Sequence, residues 1–540
     1  MESSPTPSDP SLFDTLSDDL MILIFQRLAS NSVSFSHAVV CSRWLRLARV
    51  SQSAVHVARR REISGAQLIR AVSRMPNLTS LDLSNRSVDS ITDAFLAGLA
   101  NACPQLSSLS LTAGGHGTPL SHSSLGLEAL FSTCTRLQQL RLHGTAAGVT
   151  ALPSPLLHLQ QLKTFHLSMD HLQELPPAFG LLSSLTHLNL HTPLLKFLPP
   201  TLGKLSNLEY FELVDCDSLV SLPECIGQLS RLSDLSVSSS SLVLLPDSIS
   251  LLSLTSLDLI LPALSLLPAS LGHSSLSTSL SLLALTICTT LHSLPASLPS
   301  LHMLKTIEIS QCSLSALPDD FGFLPSLQKL ELNACEELSH LPDSFSLLPS
   351  LANLSITGCP SLLSLPENFG QLSCLKSFEL CSVAKVTCLP VSFGQLEALQ
   401  ELKISDCPAL QELPSSLGKI CSLECIAISR CGLLNSLPSS IVMLPRLQEL
   451  TIRRCSSLQS LPDSFSALSL LKSLVIEDCK GITFLPVGLG QMPNLQMLKV
   501  VGCAESYILY RQLLGLYLEN ENLFNGEGHD LGRTDSGIVW

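Results

Sequence analysis

The sequence predicts an α/β solenoid, with a parallel sheet on its concave face and short helical turns behind it. Three observations point there. Fifteen Leu-Pro pairs stand in one register from Leu152-Pro153 to Leu485-Pro486, spaced 23, 23, 24, 23, 22, 27 and 23 residues and then 24 seven times. Between the pairs runs one pattern, L-x-x-L-x-L-x-x-C-x-x-L, as in residues 317–338 and 413–434. Nine cysteines (Cys216, Cys312, Cys335, Cys359, Cys407, Cys431, Cys455, Cys479 and Cys503) occupy a single position of that pattern. A fixed period of this length marks stacked repeats, each of which buries its apolar side only against its neighbours.

Each part of the repeat has a physical reading. In Leu327, Leu330 and Leu332 the last two leucines flank Glu331, the period of a short strand. The cysteine three places on turns inward, where its thiol meets loop backbone groups that would otherwise lie unpaired. The Leu-Pro pair opens the return arm, because proline fixes φ and suits the start of a helical turn. Asp343, Ser415 and Asp463 are placed to cap that turn, and Gly322, Gly370, Gly394, Gly418 and Gly490 to end it.

The pattern predicts 18 strands, opened by Leu78, Leu106, Leu137, Leu162, Leu185, Leu208, Leu232, Leu254, Leu282, Leu304, Leu327, Leu351, Leu375, Leu399, Leu423, Leu447, Leu471 and Leu495. At roughly 4.8 Å per strand the sheet face would run on the order of 80 Å, enough for a folded partner. The first three repeats lack Leu-Pro. Residues 90–111 carry instead a longer amphipathic stretch with Phe95, Leu96, Leu99 and Cys103 on one face. A serine-rich insertion in 263–303 accounts for the 27-residue spacing. After Cys503 the period stops; the apolar residues of 504–524 suit a capping helix, and the Gly-, Asp- and Ser-rich 525–540 suit disorder.

Composition narrows the function. Aromatics are 4% and charged residues 14%, which fits a narrow aliphatic core. A net charge of −13 argues against a general nucleic-acid binder. The opening MESSPTPSDP has no basic n-region, and the apolar stretch from Leu20 to Phe25 is too short to span a bilayer, so no membrane association and a cytoplasmic or nuclear location are expected. The sequons at Asn77, Asn85 and Asn353 are then chance matches. A column of thiols is a structural ladder rather than a disulfide framework, and Cys421 and Cys425 lack histidine partners for zinc. No H-E-x-x-H, G-x-S-x-G or G-x-x-x-x-G-K-[ST] occurs, so no enzyme, metal or cofactor is expected.

The repeat resembles the leucine-rich repeat, which implies a curved horseshoe. Its L-P-x-S-F-G-x-L form is similar to the repeats of plant intracellular immune receptors and of Ras-group signalling proteins, although the nucleotide-binding domain of the former is lacking. Ile91-Thr92-Asp93 and the run from Leu99 to Leu106 resemble the cysteine-containing subtype, common behind F-box motifs.

Residues 14–48, DTLSDDLMILIFQRLASNSVSFSHAVVCSRWLRLA, break the pattern. Ser17 is a candidate N-cap with Asp18 and Asp19 in the first turn, and Leu20, Leu23, Ile24 and Leu28 form a helical stripe. A second helix runs through Val39, Val40 and Trp44, and a module this small must lean on another surface. It resembles an F-box: Leu16, Leu20, Ile24, Phe25 and Leu28 match the first half of that motif, and Val40, Cys41 and Trp44 the second. Ser17 and Ser42 depart from the usual proline and lysine. The resemblance implies docking on a Skp-type adaptor and a cullin through these residues.

The expected order is therefore a disordered 1–13, an F-box-like module at 14–50, a helical linker or first cap at 51–75, cysteine-containing-type repeats at 76–150, Leu-Pro-type repeats at 151–503, a cap at 504–524 and a disordered tail at 525–540. Specificity should lie between the strand leucines. Arg141, His143, His166, His187, Asn189, His191, Tyr210 and Glu212 come together over neighbouring strands as the candidate contact patch for a protein substrate. Farther on, Glu308, Glu331 and Glu379 give way to Lys403, Arg453, Lys472 and Lys499, a change of sign that would orient a partner. The leading expectation is a substrate-recognition subunit of an SCF-type ubiquitin ligase; the alternative is a recognition or scaffold protein without ubiquitin chemistry.

Overall fold

A computed structural model describes residues 53–56, 64–84, 91–112, 124–144, 149–272, 275–503, 512, 533–534 and 537–538. The chain divides into two compact units, Met1–Leu232 and Ser233–Trp540. Each is an all-parallel solenoid of the expected class. The first holds β1 (Ala54–His56), β2 (Ser80–Leu83), β3 (Ser108–Thr112), β4 (Gln139–His143), β5 (Thr164–Ser168), β6 (His187–His191) and β7 (Tyr210–Val214). The second opens with β8 (Asp234–Ser238), β9 (Ser256–Ile260), β10 (Leu282–Thr286), β11 (Thr306–Ser310), β12 (Lys329–Asn333) and β13 (Asn353–Thr357). It continues through β14 (Ser377–Cys381), β15 (Glu401–Ser405), β16 (Cys425–Ser429), β17 (Glu449–Arg453), β18 (Ser473–Glu477) and β19 (Met497–Val501).

The strands begin about where the leucine pattern puts them. The first leucine of each repeat lies just before its strand, as Leu327 does before β12, and is fully buried. In the repeat disturbed by the insertion that position belongs to Leu280 rather than Leu282, and the extra residues form two consecutive 3-10 turns, Ala269–Gly272 and Ser275–Thr278. One strand was not expected. Residues 54–56, assigned to a helical linker, pair with β2 in parallel through Ala54, Val55 and His56. Without them the leading edge of β2 would be an open row of backbone donors and acceptors.

The backs differ as expected between early and later repeats. α1 (Gly65–Val72) starts with a capping box between Ser64 and Gln67, and α2 (Asp93–Ala102) starts on Thr92, whose hydroxyl accepts from the Phe95 N–H at 3.2 Å. α3 (Leu125–Thr133) is tied to α2 where the Gly126 N–H donates to the Asp93 carboxylate at 2.9 Å. Helices roughly 10 Å across cannot stack at the ~4.8 Å strand spacing, so the backs fan outward and the sheet becomes the inner face. From Ser154 onward each described back is a 3-10 turn.

Proline stands one place earlier in that turn than a first helical residue would. Pro342 and Pro390 are N-cap residues with extended ψ of 153° and 149°, and their carbonyls accept the first N–H of the turn, from Phe345 and Phe393, at 2.9 Å each. Two further expectations are corrected. Asp343 and Ser415 make no capping bond. The serine or threonine of L-P-x-S acts instead, and between repeats: Ser416 Oγ accepts from the Gly394 N–H at 3.3 Å and donates to the Val391 carbonyl at 2.7 Å. Nor do Gly322, Gly370, Gly394 and Gly418 end the turn in a left-handed conformation; each sits inside it at negative φ, with the next repeat's carbonyl against its Cα.

Eight of the nine ladder cysteines are buried, Cys503 is half-buried, and Cys288, which the insertion had moved off register, joins the buried set. Cys407 Sγ lies 3.7 Å from the Leu380 carbonyl of the preceding repeat and 3.3 Å from the Ser405 carbonyl of its own, the donor role expected of it. The hydrogen bond to Cys431, with burial behind it, pushes the Cys455 thiol up to about 11.

Just before each ladder position lies a feature no residue type announces. Asp215, Ile287, Gln311, Ala334, Ser382, Asp406, Arg430, Arg454 and Asp478 all have φ between 48° and 55°. Gly358 and Gly502 hold the same place. The left-handed residue turns its N–H to the carbonyl at the end of the next strand, as Ile287 does to Ser310 at 2.8 Å, and so extends the ladder by one bond. A β-branched side chain is poorly suited to this conformation, which costs an L-residue about 1–2 kcal/mol. Ile287→Gly should therefore raise stability by about 0.5–1 kcal/mol, after the entropy glycine adds to the unfolded chain. Urea unfolding of the two proteins measures it, and an unchanged or lower midpoint would contradict the strain.

Candidate functional site

All eight contact-patch residues lie on the first unit, on β4 to β7, and on one face. The period of two sends Leu140, Leu142, Phe165, Leu167, Leu188, Leu190, Phe211 and Leu213 into the core at 0–1% exposure, and the alternate residues outward. The parallel register then arranges the outward residues in rows. One row reads Arg141, His166, Asn189, Glu212. Before it runs Gln139, Thr164, His187, Tyr210; after it His143, Ser168, His191, Val214.

Within the rows several side chains hold each other. Glu212 accepts from the Asn189 amide and, at 2.9 Å, from the Tyr210 hydroxyl. The His187 and Tyr210 rings stack with centroids 6.0 Å apart and planes 27° from parallel. His191 is oriented at both nitrogens: Ser168 Oγ is 2.9 Å from Nδ1, and Asp215 Oδ2 is 3.4 Å from Nε2. A serine hydroxyl donating to Nδ1 leaves the Nε2 proton facing Asp215. His166 is held below its ordinary range, first by burial, then by the positive charge of Arg141 on the neighbouring strand, with Glu212 opposing and His187 adding to the shift.

The patch is thus a pre-ordered mosaic: a stacked planar shelf at His187 and Tyr210, an oriented imidazole at His191, a carboxylate engaged at Glu212, and a cation beside a neutral imidazole at Arg141 and His166. Among the described residues no group of three or more His, Cys, Asp or Glu side chains is arranged to hold a metal. No helix of the described residues is long and apolar enough to cross a membrane.

In the second unit the expected change of sign dissolves into local pairs. Lys329 bridges Glu308 and Glu331 at 2.9 Å each, Lys403 pairs with Glu401 at 2.8 Å, and Glu477 takes both Arg453 and Lys499 at 3.0 and 2.7 Å. Lys472 precedes β18 and bonds Gln448 at 2.7 Å. Charges neutralised at this range project little field beyond a Debye length. The F-box-like residues Leu16, Leu20, Ile24, Phe25, Leu28, Val40, Cys41 and Trp44 lie outside the described residues. So does nearly all of 504–524, but Gln512 caps the last repeats: its amide accepts from the Leu485 N–H at 2.9 Å and donates to the Leu485 carbonyl at 3.0 Å.

No family model matches the chain, and no curated protein matches it in sequence. Solved structures do. A leucine-rich-repeat protein of Leptospira interrogans is 24% identical over 85% of this chain and 98% of its own, with a TM-score of 0.56. The Toll–Spatzle complex of Drosophila matches at 16% identity, 77% of this chain, 53% of the other and a TM-score of 0.53. The TLR13–ssRNA13 complex matches at 22%, 79%, 65% and 0.52. At these identities the likeness shows the fold, and the fold is the leucine-rich-repeat solenoid.

Proposed function

We propose that this chain is a non-catalytic recognition protein that holds a protein partner on the sheet face of β4 to β7. The observation that carries the reading is the mosaic itself: eight polar, ionisable and aromatic side chains on four consecutive strands, fixed by one backbone register over a fully buried leucine and phenylalanine layer. A pre-ordered surface loses little conformational freedom on binding, which is where affinity is usually lost. Its aromatic and arginine content is that of interface hot spots. The Toll–Spatzle complex supports the reading by analogy, as a similar fold in a complex with a named partner. Ladder thiols engaged as donors to backbone carbonyls fit a reducing, cytoplasmic setting.

A photo-reactive residue in place of Tyr210 should cross-link a partner in cells, and one in place of the exposed Val391 on the back of the second unit should not. His187→Ala with Tyr210→Ala should cut capture about 30-fold, the loss expected of a central aromatic contact. Equal cross-linking at both positions would sink the reading.

A second reading is favoured by one sequence observation, the string V-C-S-R-W-L-R-L-A at 40–48. There the recognition face would deliver its partner to a ubiquitin ligase through a Skp-type adaptor and a cullin, with proximity as the chain's whole contribution. Co-purification of adaptor and cullin with the parent chain, abolished in a Phe25→Ala/Trp44→Ala variant, is the expected result. Absence of adaptor from the parent chain would remove it.

A further inference from the structure

Five described strands of the two units carry a lysine or arginine with a described side chain: Arg141 on β4, Lys329 on β12, Lys403 on β15, Arg453 on β17 and Lys499 on β19. Four of them are matched by an acid inside their own unit, at 2.7 to 3.0 Å. Arg141 is exposed and has no acidic partner among the described residues. Its in-register neighbours are Ser110 and His166, and the acids of the same row, Asp82 and Glu212, lie two and three strands away, about 10 and 14 Å at the usual strand spacing. Asn189 and Tyr210 already donate to Glu212.

We propose that Arg141 and His166 together read a carboxylate, an aspartate or glutamate side chain of the protein partner, with the His187–Tyr210 shelf beside it. The inference rests on the recognition reading above and deepens it. Charge complementarity identifies the occupant. An arginine fork accepts a carboxylate through two parallel N–H donors, and the neutral imidazole next to it adds a further donor. A neutral amide would satisfy neither the fork nor the charge. In a chain of net charge −13 a cation left without an acid is an attractive place for an acidic segment that the rest of the surface repels.

The arrangement couples binding to pH with a definite sign. His166 is faced by Arg141 from β4, His187 from β6 and Glu212 from β7, and burial first, then Arg141, hold it in the neutral form. A carboxylate placed between Arg141 and His166 cancels the repulsion, so the bound state takes up a proton more readily than the free state. Affinity then rises as pH falls through the His166 range, and falls again once the partner's carboxyl protonates near its ordinary value of about 4.3.

The test uses the full chain and two probes, acetyl-tetraglutamate amide and acetyl-tetraglutamine amide, followed by the histidine ring resonances. The glutamate peptide should bind about tenfold more tightly than the glutamine peptide at about pH 7 and shift His166 most, as one charge-assisted contact would give. The gap should close in Arg141→Gln and partly persist in Arg141→Lys. In His166→Gln the gap should remain, while its strengthening as pH falls below neutral disappears. Equal affinities for the two peptides, or a gap that survives Arg141→Gln, would overturn the carboxylate site. If cross-linking at Tyr210 then still captures a partner with face preference, only the carboxylate assignment is lost; if that preference is absent too, the recognition reading falls with it.

Discussion

Gly322→Ala is expected to destabilise the second unit by about 3–5 kcal/mol, although alanine is otherwise a better residue for a helical turn. A Cβ on Gly322 would lie 1.6 Å from the Ser344 carbonyl oxygen and 2.3 Å from its carbon, both backbone atoms of the next repeat. The same carbonyl cannot retreat alone. Gly322 donates its N–H to Ser344 Oγ at 3.1 Å, and that hydroxyl donates in turn to the Asp319 carbonyl, so moving one turn breaks the clasp that joins both. The cost is therefore an overpacked backbone contact plus stranded hydrogen bonds, rather than a local loss of flexibility. Gly432→Ala is the matched control. Its Cβ would meet nothing nearer than Ser456 Oγ at 3.9 Å, so its effect should stay within about 0.5 kcal/mol. Guanidinium unfolding of both variants decides the point. Equal midpoints would mean that glycine in L-P-x-S-F-G-x-L is kept for backbone freedom and not for close approach.

That contrast shows where a sequence of this kind is readable. The leucine period made the strands legible, because burial and pleat follow directly from spacing. It also made the candidate contact patch legible as a set, since alternation alone sends Arg141, His166, Asn189 and Glu212 to one face. What spacing does not encode is contact between repeats. The serine of L-P-x-S and the glycine two places after it appear as separate turn residues in one repeat; they form a single clasp only when the next repeat is laid against it. The left-handed column was hidden for a different reason. Ile287, Gln311, Ala334, Ser382 and Arg430 share no side-chain property, and only their place before the ladder position, a cysteine in four of these repeats and Val383 in the other, marks them. Within the patch, the donation of Asn189 and Tyr210 to Glu212 depends on rotamers, and so does the bridging of Ser168 and Asp215 by His191. Those internal pairings leave Arg141 as the described strand cation whose charge is still to be answered.

Phe369→Ala should cost about 4–5 kcal/mol, and should do so cooperatively. Phe321, Phe345, Phe369 and Phe393 occupy the same position of four successive 3-10 turns, each at 0% exposure. Their rings form a stack, with centroids 6.1, 6.5 and 5.9 Å apart and planes within 4° to 9° of parallel. Phe369 also meets Phe378 of β14 at 5.2 Å, tilted by 53°, so it joins the stack to the sheet. Truncation leaves a cavity with rigid walls, because the neighbouring rings are fixed by turns whose first N–H is bonded to a proline carbonyl, 3.0 Å at Phe369 itself. Where every repeat contacts only its neighbours, a hole in one layer weakens two interfaces at once. Phe369→Leu, which refills most of the volume, should recover more than half of the loss. A double-mutant cycle isolates the ring contribution. Phe345→Leu and Phe369→Leu touch and should couple by about 0.5–1.5 kcal/mol, whereas Phe369→Leu and Phe465→Leu, four repeats apart, should add without coupling. Coupling of the distant pair, or none between the adjacent rings, would show that the aromatic column is filler rather than the spine that makes these repeats unfold together.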